Sequence, residues 1–179
     1  MSTVNGHVAP QAVAVERVRR PVFPGADVVP MTKLSPWAWA AMPELERRIR
    51  DFCVRHDTDL PADLLIRSVH ASYIADVPNM LVILAIDDGQ VIGHLLVDLA
   101  DWGGRKVATI VQYALDGMVP IEVLRKGLGL IEQWARGRGC QAVQVLAISE
   151  ELARAYGRFY GFRRHRVLMR KRLDVDGGG

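Results

Sequence analysis

The chain has 179 residues, 50% of them hydrophobic, a formal net charge of +3 and two cysteines. That length supports one well-buried core and is short for two. No apolar run approaches the roughly 18 residues of a membrane span, and no basic segment precedes an apolar stretch at the start, so the expectation is a cytoplasmic protein without span or signal peptide.

Residues 1–34 mix Gly, Pro, Val and Arg without helical or strand period, as in "RRPVFPGADVVP", and read as an extended N-terminal arm. Order is expected to begin at Ser35-Pro36, an N-cap and first helical position. Pro43 then opens a first amphipathic helix, "PELERRIRDFCVRH", whose Leu45, Ile49, Phe52 and Cys53 share a face. A second helix, "PADLLIRSVHASYIAD", follows Asp59 and Pro61 and repeats apolar residues at Leu65, Val69 and Tyr73. Two apolar runs separated by Asp87-Asp88-Gly89-Gln90 predict a β-hairpin, and "KVATIVQYALD" predicts the next strand. After a further helix, "QAVQVLAI" reads as a buried strand, "EELARAYGRFY" as a last helix behind Ser149, and "FRRHRVLMRKRL" as a closing strand. The sum is one α+β domain over residues 35–173, with a mixed, mainly antiparallel central sheet, helices on both faces and a flexible tail at 174–179. Cys53 and Cys140 lack CxxC or Cys/His spacing, which argues against a disulfide framework or zinc site and predicts two buried thiols.

The helix between these strands poses a specific question. "VLRKGLGLIEQWARGRGC" puts Gly127-Leu128-Gly129 behind Arg125-Lys126, a composition suited to a phosphate-cradling loop. A loop ending at Gly129 would leave only about two turns of helix before "WARGRG". Ile121, Leu124, Leu128, Ile131 and Ala135, by contrast, keep a 3, 4, 3, 4 spacing straight through both glycines, with Pro120 at a good first position. Two helical glycines cost about 2 kcal/mol together, while burying each of four large apolar side chains contributes roughly 1.5–3 kcal/mol. A continuous helix from residue 120 is therefore predicted, with Gly127 and Gly129 permitting close packing.

Charge is unevenly distributed. Residues 41–118 carry 12 acids and 7 bases, residues 120–173 carry 4 acids and 12 bases, and Arg154 to Arg172 holds eight bases and no acid. Such a cationic region attracts an anionic partner, a nucleotide, a nucleic acid or an acidic protein, unless it is simply a solvated strand face. Aromatic residues do not alternate with these bases, so a stacking platform for single-stranded nucleic acid is not indicated.

The hairpin "AIDDGQVIGHLLV", the stretch "IEQWARGRGCQAVQVLAI" and "ARAYGRFYGF", together with the element order over residues 41–173, resemble the GNAT-type N-acetyltransferase family. The resemblance implies an acetyl-coenzyme A site in the wedge where the fourth strand splays from the fifth. Its cofactor-binding candidates are Tyr113 on the fourth strand and Ile121, Val123, Arg125 and Lys126 at the start of the central helix. The family's Gln/Arg-x-x-Gly-x-Gly/Ala loop is not matched: Leu124 stands in the leading place, and Glu122 in the first turn would repel a diphosphate, so the coenzyme A site is expected to be weakened or rearranged.

The resemblance also implies catalytic roles. Tyr156 is the general-acid candidate toward the departing thiolate, although it lies one residue from the place the Gly161-Phe162 pair predicts. Asp116 is the one carboxylate near the fourth strand that could serve as base, or else a strand-end turn residue. His94 either faces a substrate cleft as a base or is a satisfied histidine on the sheet. Two functions are compatible with these residues. One is acyl-coenzyme A-dependent N-acetyl transfer. The other is a non-catalytic GNAT-like protein that holds an acidic protein or other macromolecular partner through its arm and basic C-terminal region, and that self-associates or resides in a virion, since relatives lacking the glycine loop resemble those of bacteriophages.

Overall fold

Asp88 and Gly89 form the two-residue turn expected between the apolar runs: both have positive φ, 46° and 73°, the twist that joins antiparallel strands most readily. The computed structural model describes residues 21–163 apart from 34, 36, 57, 59–60, 76–77, 102–103 and 146–149. Its elements are, in chain order, β1 (Asp27–Pro30), α1 (Ala38–His56), α2 (Ala62–Ile74), β2 (Met80–Asp87), β3 (Gln90–Asp101), β4 (Lys106–Leu115), α3 (Ile121–Gly137), β5 (Ala142–Val145) and α4 (Glu150–Tyr160).

The strands form one sheet in the order β1-β2-β3-β4-β5. All neighbours are antiparallel except β4 and β5, which run parallel because α3 crosses between them. This is the mixed, mainly antiparallel α+β architecture expected. β2 is apolar and buried from Met80 to Ala85, as a strand covered on both faces must be. On one face α1 and α2 pack Leu45, Ile49, Leu65 and Val69 around Val82, Leu84 and Leu96. On the other, α3 packs Val123, Ile131 and Ala135 around Ile83, Val97 and Ala108. Among the described residues no helix is long and apolar enough to cross a membrane.

Several expectations are corrected. The arm does not extend to residue 34: Asp27–Pro30 pairs with Ile86–Ile83 as an edge strand, and Ala26, Val28 and Met31 are buried. Four residues closed by a proline are too few to show a period, which is why the strand is invisible in the sequence. The first helix does not start at Pro43 but runs through it from Ala38. Pro43 falls early in the helix, where only the bond to the Trp39 carbonyl is forgone.

Helix α3 is continuous through both glycines, as predicted, and Ile131 and Ala135 are buried as expected, but in its first half the buried positions are Val123 and Gly127, one residue before the expected Leu124 and Leu128. Leu124 and Leu128 flank them instead. Neither glycine is needed for close packing: a methyl group at Gly127 would meet Val28 Cγ2 at 4.0 Å, an ordinary contact, and one at Gly129 would meet nothing. Neither Cys53 nor Cys140 forms a disulfide, and both are half-buried rather than fully so. Residues 1–20, the predicted closing strand beyond Arg163, its bases and the tail lie outside the described residues.

Candidate active site

Between α3 and the sheet lies an apolar cavity of about 220 Å³. Val28 of β1, Ile83 and Ala85 of β2, Leu95 of β3 and Ile110 of β4 form its floor, and Val123, Leu124, Gly127 and Leu128 of α3 form its roof. Strand alternation explains the floor. Leu95 pairs with Tyr113 and both point to the α3 face, whereas the neighbouring Leu96 packs under α1 and α2. Tyr113, Tyr156, Tyr160 and Phe162 also line the cavity, so three hydroxyls share an otherwise apolar enclosure. Among the described residues no aspartate, glutamate, lysine or arginine lines it.

Among the described residues the β4–β5 ladder runs from Val107–Ala142 to Ile110–Val145, and β4 itself extends to Leu115. Tyr113 stands on this C-terminal part of β4, 36% exposed. Tyr156 projects from α4 with its ring 6.3 Å from Tyr160 and 5.9 Å from Phe162. Burial pushes the pKa of Tyr113 well above its ordinary 10.0, with Tyr160 and Tyr156 adding to the effect. Burial likewise raises Tyr156, with Tyr160 second. Tyr160 is raised by burial and pulled back by Arg125. All three phenols are therefore protonated at neutral pH, able to donate hydrogen bonds or a proton.

Of the other catalytic candidates, His94 borders the same cavity as Tyr156 and Asp116 does not. Asp116 is not in the cavity wall; its carboxylate takes two bonds, 2.6 and 2.8 Å, from the Arg48 guanidinium of α1. His94 borders the cavity, but its register with Leu84 and Ala114 puts its side chain on the face covered by α1 and α2. It is 2% exposed. Burial lowers its pKa to about 4, so the ring is neutral at pH 7. The Gln112 amide pulls the other way, yet neither ring nitrogen makes a well-aligned hydrogen bond.

The start of α3 differs from a phosphate cradle in several respects. The Val123 amide is used by the Pro120 carbonyl at 3.0 Å. Lys126 is bonded to both carboxylate oxygens of Asp27, at 2.5 and 2.7 Å, and this contact holds Asp27 below the usual carboxylate range. Ile121 begins the helix half-buried, and Glu122 is exposed in its first turn. Met118, in the connection from β4, exchanges two 2.8 Å bonds with the N-terminal segment, its amide to Pro21 O and its carbonyl from Phe23 N. A Cβ at Gly117 would meet Pro21 O at 2.2 Å, so glycine is required under this strap.

Sequence reasoning missed the strap, the Asp27–Lys126 contact and the parts played by Tyr160 and Phe162. Only the apolar Val22-Phe23 pair between prolines and the glycine after Asp116 hint at the strap. Among the described residues no group of three His, Cys, Asp or Glu is placed to hold a metal ion.

Comparison with solved structures shows the fold of GNAT-type acetyltransferases. A predicted acetyltransferase from Clostridium acetobutylicum with acetyl-CoA superposes with a TM-score of 0.58 at 14% identity, covering 83% of this chain and 96% of its own. An aminoglycoside N-acetyltransferase in complex with CoA gives 0.57 at 15% identity, covering 83% and 95%. An acetyltransferase from Trypanosoma brucei gives 0.54 at 16% identity, covering 83% and 99%. No family model matches the sequence, and no curated protein matches it.

Proposed function

We propose that the protein is an N-acyltransferase that takes an acyl thioester with its reacting end beside Tyr113 and Tyr156. The observation that carries this reading is the convergence of Tyr113, Tyr156 and Tyr160 on one apolar cavity at the C-terminal part of β4, after Ile110, the last residue of its described ladder with β5. Solved structures of the same fold with acetyl-CoA and CoA support it.

The two ends of coenzyme A fit this chain unequally. The thioester end fits an apolar cavity bordered by phenols. The diphosphate end does not fit the start of α3, where the Val123 amide and Lys126 are already bonded and Glu122 repels negative charge. The donor is therefore held mainly by its acyl end, and the diphosphate site is degenerate. Cofactor contacts from Tyr113 and Ile121 remain part of the proposal; contacts from Val123 and Lys126 require those bonds to be exchanged, and Arg125 contributes charge near Tyr160.

In the reaction, a neutral amine attacks the thioester carbonyl. Strand amides alternate direction, so some amides of residues 111–115 point away from β3 and can stabilise the oxyanion. As the tetrahedral intermediate collapses, Tyr156 gives its proton to the thiolate, leaving amide and free thiol. Among the described residues no carboxylate lines the cavity, so the proton lost by the amine leaves through water, which returns one to the Tyr156 phenolate.

The test is thiol release from acetyl-CoA and octanoyl-CoA in the presence of a panel of primary amines. Release that requires the amine supports the reading. A second reading, a non-catalytic protein that binds an acidic macromolecule, is favoured by the pairing of Asp116 with Arg48, which takes that carboxylate out of the role of base. It expects no release with any amine.

A further inference from the structure

Acetyl transfer needs room for a single methyl beyond the carbonyl, and this cavity is far larger. Its floor runs from Tyr113 on β4 across β3 and β2 to Val28 on β1. Three interstrand steps of about 4.8 Å make that span roughly 14 Å. An apolar protein cavity of about 150 Å³ accommodates benzene, and this one measures about 220 Å³. Beyond the tyrosines the floor is Val28, Ile83, Ala85, Leu95 and Ile110, with no charged group among the described residues, which disfavours a sugar, a nucleotide or an ionic ligand in the depth of the site.

Gly127 adds an independent observation. It is buried in the roof, yet a methyl group built on it would contact only Val28 Cγ2, at 4.0 Å. The space under α3 is thus left open by the absence of a side chain at that position, not filled by a neighbour.

We infer that the cavity is a binding site for an unbranched acyl chain of about six or more carbons, entering from the tyrosines and extending under α3 toward Val28. The inference rests on the acyltransferase reading only for the identity of the head group. A chain of this kind arrives either as a thioester or as a free fatty acid, whose carboxylate would meet the same phenols.

The experiment is calorimetric titration of the full chain with acetyl-CoA, hexanoyl-CoA, octanoyl-CoA and octanoate, repeated on Gly127→Leu. Burying each methylene is worth roughly a fourfold gain in affinity. Octanoyl-CoA is expected to bind at least about tenfold more tightly than acetyl-CoA, allowing for incomplete burial. In Gly127→Leu the added side chain occupies the cavity, and the ratio of the two affinities falls to about one. Equal binding of the two donors by the wild type overturns the inference, as does an unchanged ratio in a folded Gly127→Leu. Should that variant fail to melt cooperatively, the wild-type chain-length series decides alone. Octanoate binding shows that the carboxylate suffices as head group; its absence with octanoyl-CoA bound assigns the site to the thioester. Chain-length-dependent binding without transfer to any amine keeps this site and removes the acyltransferase reading. Transfer of acetyl groups without any chain preference in binding does the reverse.

Discussion

Replacing His94 with leucine should flatten the acid side of the protein's stability profile. His94 is 2% exposed, and burial lowers its pKa from 6.5 to about 4. Around it stand Gln112 of β4, Arg48 of α1, whose charge lowers the pKa further, and Asp116, whose charge raises it. In the unfolded chain the imidazole takes up a proton as the pH falls through about 6.5, whereas the folded protein resists until about 4. Between these values the unfolded state binds more protons, so stability falls as the pH falls and then levels off. At 1.36 kcal/mol per pKa unit the full loss is about 3 kcal/mol. Leucine cannot take up the proton, and it removes two ring nitrogens that lack well-aligned hydrogen bonds. Urea unfolding across this pH window, with wild type and His94→Leu in parallel, cancels the contribution of carboxylates common to both. A wild-type curve no steeper than that of the variant would refute the buried, neutral histidine.

Three further outcomes follow from the packing. Gly127→Ala removes a helical glycine with only an ordinary contact to Val28, so thermal unfolding should show it unchanged or more stable by up to about 1 kcal/mol. Deleting residues 1–34 removes β1 with Val28 and Met31, each worth roughly 1.5–3 kcal/mol of burial, and should abolish or severely lower the cooperative melt; an unchanged melt would place β1 outside the core. Gly117→Ala drives a methyl into Pro21 O and Phe23, and should cost about 1–3 kcal/mol by overpacking while opening the strap to proteolysis near Val22.

The parts of the molecule fixed by local chemistry were legible in the sequence. Asp88-Gly89 names its turn type, and the spacing from Ile121 to Ala135 outweighs two glycines. What depended on distant partners was not. β1 is a strand only because β2 offers it an edge, and its four residues carry no period of their own. In the first half of α3 the buried positions are Val123 and Gly127 in place of Leu124 and Leu128, a rotation set by how the helix lies on the sheet and not by its own spacing. Asp116 invites a reading as a base until Arg48, 68 residues away in sequence, takes its carboxylate. Tyr156 was found through a resemblance, but its meeting with Tyr113 and Tyr160 joins α4 to β4, and no spacing along the chain encodes that.

The most direct measurement of the central claim is the steady-state rate of amine-dependent thiol release by wild type and Tyr156→Phe, with donor affinity determined separately for each. Removing a general acid that acts on the departing thiolate should lower kcat at least about tenfold and leave donor affinity nearly unchanged. Equal kcat values for the two proteins, or no thiol release by the wild type with any amine, would contradict acyl transfer at the tyrosine mouth.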